Sequence, residues 1–294
     1  MSEQNPFGRE GAQRRAFLAA TLAAGTTAAV AATPGPSRPG PRAGLGQRSL
    51  DTRLTREYGV RLPLVGAGMG FISTPALVAA VSNAGGIGVL GNAIEPPPGT
   101  QALIQQIKLA TSKLFGVDFI VDDSAFGPAT TDAHIDVCIA EQVKLVVFHM
   151  NVPPKEWVDR LQAAGARVWM QAGSVKQAFD AAILGIDAVV AQGSEAGGHD
   201  KSKVPGPLLL SQIIKALPSV LVLAAGGIAD GEAVFRALSS GAQGVWVGDF
   251  EAMGMPAGDG ARLIHDIQPA ARIVATMMND ARLLFEKERT RAAG

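Results

Sequence analysis

Residues 188–200 read AVVAQGSEAGGHD, an apolar run from Ala188 to Ala191 that opens directly into a turn holding Gly193, Gly197, Gly198 and His199. Consecutive apolar residues without alternation predict a strand covered on both faces. The glycines let backbone approach a flat or anionic ligand closely. His199, just past the strand end, carries a group suited to proton transfer near neutral pH. A plainer reading also fits, a glycine-rich strand-to-helix turn with a surface histidine.

The same pattern recurs on both sides. Short apolar runs predict strands at 62–65, 86–90, 116–121, 144–148, 167–170, 188–191, 220–224 and 244–247. Spaced apolar residues, such as Val175, Ala178, Phe179, Ala182 and Ile183, predict helices at 74–83, 101–111, 132–142, 155–164, 175–184, 208–217, 232–239 and 269–286. Eight strand–helix units point to an α/β fold, a closed (β/α)8 TIM barrel. An open doubly wound sheet is the alternative.

The totals agree with one such barrel. The chain has 294 residues and is 47% hydrophobic, with 26 basic and 26 acidic residues. Balanced charge gives no reason to expect a nucleic-acid partner. A lone cysteine, Cys138, excludes an intrachain disulfide and any Cys-rich metal site, and it reads as a buried structural thiol. Residues 1–32 carry Arg14-Arg15 before a mildly apolar Ala/Thr run and read as a twin-arginine-type signal, implying an exported, periplasmic protein. That run is too weakly apolar for a stable membrane span. Residues 33–49 read as a Pro/Gly-rich linker, and 50–294 as the barrel with its C-terminal helix.

In a barrel the site lies at the carboxyl ends of the strands. Those positions hold Gly66 to Gly70, Gly91-Asn92, Asp118, His149-Met150-Asn151, Gln171 to Ser174, Gln192 to His199, Ala225-Gly226-Gly227 and Gly248-Asp249. Glycine turns follow the seventh and eighth strands, where barrels commonly seat a phosphate. AAGGIADG runs straight into a helix, so that helix end is expected to face an anion. Gly241 and Gly244 read as turn residues, and Glu195 and Asp200 as solvated. His134 and His265 fall in helices; His149 reads as a pocket residue. No spacing matches a metal site, and no Gly-x-Ser-x-Gly elbow argues for hydrolysis. Close backbone with a phosphate seat at one end suits flavin mononucleotide (FMN) better than a bare sugar phosphate.

Three stretches together resemble the nitronate monooxygenase family, formerly the 2-nitropropane dioxygenases. They are STPALVAAVSNAGGIGVLGN at 73–92, AQGSEAGGHD at 191–200 and AAGGIADGEAVFRALSSGAQGVWVG at 224–248. The resemblance runs roughly from Thr52 to Gly248, plus the last helix. It implies an FMN-dependent barrel. Gly68, Met69 and Gly70 would lie along the flavin ring, with Gln171 and Gln192 as polar lining and Gly197 and Gly198 in backbone contact. Gly226, Gly227 and Gly248 would hold the phosphate. His199 matches the family's active-site histidine, which would remove the α-proton of a nitroalkane or hydrogen-bond a nitronate. Nitro compound and molecular oxygen would then yield a carbonyl compound and nitrite.

Three departures accompany the resemblance. Asp118 stands where the family usually has Asn, and Asp249 where it usually has Gly-Thr-Arg-Phe or similar. Both are cofactor-lining positions, and each is expected to add negative charge beside the flavin. The family's long helical substrate region between strand eight and the last helix is largely missing, so the pocket is expected to be open or closed by another subunit of a homo-oligomer. The alternatives are an NAD(P)H-dependent flavin enoyl-thioester reductase, which shares the EAGGH string, and a non-catalytic flavin- or ligand-binding barrel.

Overall fold

In a computed structural model of the chain, residues 50–92, 94–122, 129–198, 202–248 and 268–293 are described. They form strands β1 Leu64–Gly66, β2 Ile87–Asn92, β3 Phe115–Val121, β4 Leu145–Met150, β5 Arg167–Ala172, β6 Ala188–Gln192, β7 Leu221–Ala225 and β8 Gly244–Val247. The helices are α1 Arg53–Tyr58, α2 Pro75–Asn83, α3 Pro97–Ala110, α4 Asp132–Ala140, α5 Lys155–Ala163, α6 Val175–Ile183, α7 Gly206–Ala216, α8 Gly231–Ser239 and α9 Ala270–Ala293. The strands pair in chain order, all parallel. The ring closes where β1 meets β8, with Val65 opposite Trp246. This is the predicted TIM barrel.

Continuous apolar strands follow from burial on both faces. Inward residues Val65, Ile87, Val89, Leu145, Val147, Trp169, Val190, Leu223 and Trp246 fill the barrel. Outward residues Val117, Phe119, Val146, Phe148, Val168, Met170, Val189 and Val222 pack under the helices. Each such side chain contributes about 1.5–3 kcal/mol on full burial. The closed ring also leaves no strand edge to protect.

Two elements at the ends differ from the sequence expectation. Helix α1 is absent from it, because RLTREY is short and carries three charges. The helix is fixed instead by a capping box between Thr52 and Thr55. Its Leu54 plugs the amino end of the barrel, and Tyr58 accepts a 2.6 Å hydrogen bond from Trp169 Nε1. Gly244 opens β8 as the predicted strand at 244–247 has it, and a Cβ there would lie 2.5 Å from Leu54 Cδ2. Helix α9 runs to Ala293, beyond the expected end at Glu286. Its Val274, Met277, Met278, Ala281 and Phe285 pack with Leu64 of β1, Val81 of α2, Val234 and Leu238 of α8 and Val245 of β8. It thus covers the seam where the ring closes.

Six strands extend further toward their carboxyl ends than the predicted runs do: β1 to Gly66, β2 to Asn92, β4 to Met150, β5 to Ala172, β6 to Gln192 and β7 to Ala225. The added residues include inward polar ones, which an apolar-run reading cuts off. Helix α3 starts at Pro97 rather than Gln101, because proline in the first turn sacrifices no helical hydrogen bond. The proposed signal and linker, residues 1–49, and most of the connection after β8, residues 249–267, lie outside the described residues. Among the described residues no helix is long and apolar enough to cross a membrane.

Gly88 gives a test of the strand–helix packing. A Cβ there would sit 2.1 Å from the Val78 carbonyl oxygen of α2, and backbone cannot yield as a side-chain tip can. Gly88→Ala should cost about 3 kcal/mol or more in urea unfolding. Gly165→Ala, with a positive φ but open space around it, should cost about 1–2 kcal/mol. Equal losses at the two positions would contradict this packing.

Candidate functional site

Strand alternation places Asp118 of β3, His149 of β4, Gln171 of β5 and Gln192 of β6 on the inner face, at the carboxyl end. Register supports this: Asp118 lies opposite Gly91 and Val147, and Gln171 opposite Val190. Asp118, Gln171 and Gln192 are buried, and His149 is half-buried. The wider core layers below them are apolar. The polar set therefore forms a floor beneath the mouth.

Asp118 and Gln171 are joined directly. Gln171 Nε2 donates to Asp118 Oδ2 at 2.7 Å. The other oxygen, Oδ1, is buried and has no well-formed hydrogen bond among the described residues. Burial raises the Asp118 carboxyl well above the ordinary carboxylate range; the Gln171 amide and the Phe119 N–H oppose this only in part, and no charged group enters the balance. Burial therefore works against the extra negative charge expected at this position.

The loop after β1 closes over this floor. A Cβ on Gly68 would lie 2.4 Å from Asp118 Cβ, and one on Gly91 would lie 2.3 Å from Met69 N. Only glycine permits both approaches. Ser73 Oγ ties the loop down, donating to Ala67 O at 2.7 Å and accepting from Met69 N–H at 3.0 Å. Gly70 bridges Gly91, and Phe71 follows at φ +66°, 59% exposed. Gly68, Met69 and Gly70 are thus brought together over Asp118.

The opposite wall is built from the loops after β6 and β7. Gly226 and Gly227 both have positive φ, +100° and +66°, and a Cβ on Gly226 would lie 2.9 Å from Ala196 N. Gly197 and Gly198 follow, the latter at φ +80°. Glu195 is not solvated as expected. Its Oε2 accepts from Gly206 N–H at 2.8 Å and so caps the start of α7.

The helix end after AAGGIADG also departs from expectation. Asp230 caps α8 by accepting from Ala233 N–H at 2.7 Å, and Gly231 lies against Met277 and Asp280 of α9. That helix end already holds a carboxylate. The N–H groups left for an anion are those of the turns. Gly226, Gly227 and Gly248, at the ends of neighbouring strands, donate to no partner among the described residues. This donor set fits a phosphate, and the polar floor with its orphaned Asp118 oxygen fits a heteroaromatic ring bearing nitrogen and carbonyl groups. His199 and Asp249 lie outside the described residues, as do Asp200 and His265.

Other side chains fall as follows. His134 is a packing residue: it is buried in α4, with Nε2 2.9 Å from Glu95 O. Cys138 is buried, and its thiol is pushed up to about 12 by burial, which makes it a poor nucleophile. Gln177 was missed. Its Nε2 donates to Met150 O at 2.7 Å and its Oε1 accepts from Gly173 N–H at 3.0 Å, fixing Met150 at φ +77° next to His149. Ser174-Val-Lys-Gln177 is a helix-start pattern that could have flagged it. Among the described residues no three His, Cys, Asp or Glu side chains gather as a metal site would need.

Comparison with known proteins is consistent with this geometry. The family model described as nitronate monooxygenase matches residues 51–250. The chain is 38% identical over 200 residues to a (3aS,4S,5R,7aS)-5-hydroxy-7a-methyl-1-oxo-octahydro-1H-indene-4-carboxyl-CoA dehydrogenase of Rhodococcus jostii, covering 68% of this chain and 54% of that protein. It therefore spans about half of that relative's length. It is 35% identical to a nitronate monooxygenase of Pseudomonas aeruginosa, covering 68% of each. The solved structure of a FabK point mutant from Thermotoga maritima superposes with a TM-score of 0.75 at 26% identity, over 82% of this chain and 99% of that one.

The state of Asp118 has a measurable consequence. Its carboxyl is raised in the folded protein, against about 3.9 when unfolded. Folding stability is then full below the unfolded value and falls as pH rises toward the folded one, by about 1.4 kcal/mol per unit. Asp118→Asn removes this loss. Urea unfolding should show the Asp118→Asn protein gaining on wild type as pH rises from about 4. Parallel stability curves for the two proteins would refute a raised carboxyl.

Proposed function

The chain belongs to the nitronate monooxygenase family, and from that premise we propose that it is an FMN-dependent oxidoreductase that converts alkyl nitronates and nitroalkanes, with molecular oxygen, to carbonyl compounds and nitrite. The observation that carries the reading is the paired positive-φ turn Gly226-Gly227. Its N–H groups are unengaged among the described residues, and it stands across the barrel mouth from the polar floor of Asp118 and Gln171.

When bound, FMN supplies the electron transfer that no side chain here can. The N–H groups of Gly226, Gly227 and Gly248 hold its phosphate. Gly68, Met69 and Gly70 would bring backbone against the ring, and Gly197 and Gly198 would add backbone contact. Gln171 and Gln192 orient it through their amides. His199 takes the α-proton of a neutral nitroalkane, or hydrogen-bonds a nitronate that arrives already deprotonated. Export by a twin-arginine route belongs to the same proposal, since that route carries folded protein with its cofactor in place.

A second reading is a flavin oxidoreductase acting on a coenzyme A ester. It is favoured by the Rhodococcus jostii relative, whose name specifies a carboxyl-CoA substrate.

The purified protein should be yellow, or become so with FMN, and should consume propyl nitronate with oxygen uptake and no nicotinamide. His199→Ala should lower turnover of neutral nitroalkanes about 10²–10⁴-fold and turnover of nitronates much less. Turnover of a coenzyme A ester that requires NADH or NADPH, without nitronate oxidation, would establish the second reading. Protein that takes up no FMN would remove both.

A further inference from the structure

We propose that Asp118 acts as a neutral hydrogen-bond donor to the bound flavin, presenting the proton on Oδ1, so that ionising this one carboxyl expels the cofactor. The inference rests on the FMN reading above and adds a function for one side chain of this chain.

The argument begins with the bond to Gln171. An amide N–H donates to Oδ2, so Oδ2 is occupied as an acceptor. The acid's own proton then belongs on Oδ1. That atom is buried and has no well-formed hydrogen bond among the described residues. An O–H left without an acceptor in a buried site is costly, about 1–3 kcal/mol. A ligand that brings a ring nitrogen or carbonyl oxygen to Oδ1 relieves that cost. A flavin ring offers both kinds of acceptor. A bare phosphate or an alkane offers neither in ring form.

The surroundings keep the group neutral. From the β1 loop Gly68 packs on it, from β2 Gly91, from β4 Val147, and from β5 Gln171. None of these is charged. Among the described residues, the titratable strand side chain on the same inner face toward the mouth is His149, one inward position further along β4. Arg167, on the same face of β5, lies at the opposite end of the strand, two inward positions below Gln171, where it pairs with Asp187 and covers the Tyr58 ring. Gly68 also fixes the carboxyl in place, since its missing Cβ leaves only the width of Asp118 itself. The donor is therefore rigid as well as neutral, which reduces the ordering cost of binding.

Asparagine at this position would mimic the protonated acid. Its amide oxygen can accept from Gln171 while its NH₂ donates where Oδ1–H did. It cannot ionise. Asp118→Asn is thus a neutral copy of wild type at every pH.

Two measurements test the proposal. The first needs no flavin. The infrared difference spectrum of wild type minus Asp118→Asn at neutral pH should contain the carbonyl band of a protonated carboxyl, and its absence overturns the proposal. The second is the FMN dissociation constant, read from quenching of flavin fluorescence across pH. Ionisations of FMN itself are common to both proteins and cancel in their ratio. Asp118→Asn should bind FMN within about threefold of wild type at low pH. Wild type should then weaken relative to it by up to about tenfold per pH unit once the carboxyl ionises. A constant ratio across pH overturns the proposal and leaves the flavin reading standing. Failure of both proteins to bind FMN overturns the two together.

Discussion

The 2.7 Å hydrogen bond from Gln171 to Asp118 links β3 to β5 across the inside of the barrel, and the geometry of the mouth depends on it. Most of the interior is apolar because inward side chains meet one another at the axis and exclude water. Polar groups are tolerated only near the carboxyl end, where the layers stop. Asp118 and Gln171 satisfy part of each other there. They also set the depth at which the β1 loop can rest, because Gly68 settles directly on Asp118. Widening either contact would lift Met69 and Gly70 from the positions that face the mouth.

Among the described residues, two carboxylates could have competed with a phosphate on the far wall, and both are engaged elsewhere. Glu195 caps α7 through Gly206, and Asp230 caps α8 through Ala233. Each neutralises the partial positive charge of a helix start. The seat for an anion is thereby moved from the helix ends to the turns. Gly226 and Gly227 can turn their N–H groups outward because glycine adopts φ values of +100° and +66° without strain. A Cβ on Gly226 would also meet Ala196 N at 2.9 Å. Conformation and space thus both require glycine there.

The barrel was legible because burial on both strand faces writes a plain signal, short unbroken apolar runs at regular spacing. Boundaries failed where that signal stops. Gln192 and His149 belong to their strands, yet their polarity ends the apolar run. Helix α1 left no stripe to read, since it is held by its cap, by Leu54 and by the bond from Trp169 to Tyr58. In the site, the positions of Gly68, Asp118, Gln171, Gln192 and Gly226 could be read from strand ends. Their partners could not. Nothing local says that Glu195 reaches Gly206, or that Gln177 holds Met150, because those contacts join segments whose distance only the closed ring determines.

The charge state of Asp118 shows why placement and chemistry must be read separately. By residue type it is an anion, and two unit charges about 8 Å apart at an effective dielectric of about 20 repel by about 2 kcal/mol. That is about thirtyfold in affinity for an anionic ligand. By position it is a buried acid with a single amide donor from a neighbouring side chain and no cation. Desolvating a carboxylate costs more than the Gln171 amide and the Phe119 N–H return, so burial favours the neutral form and weakens that repulsion. The replacement of an amide by an acid at this strand end is then nearly neutral for binding at low pH. It does add one property the amide lacks, a side chain that can ionise.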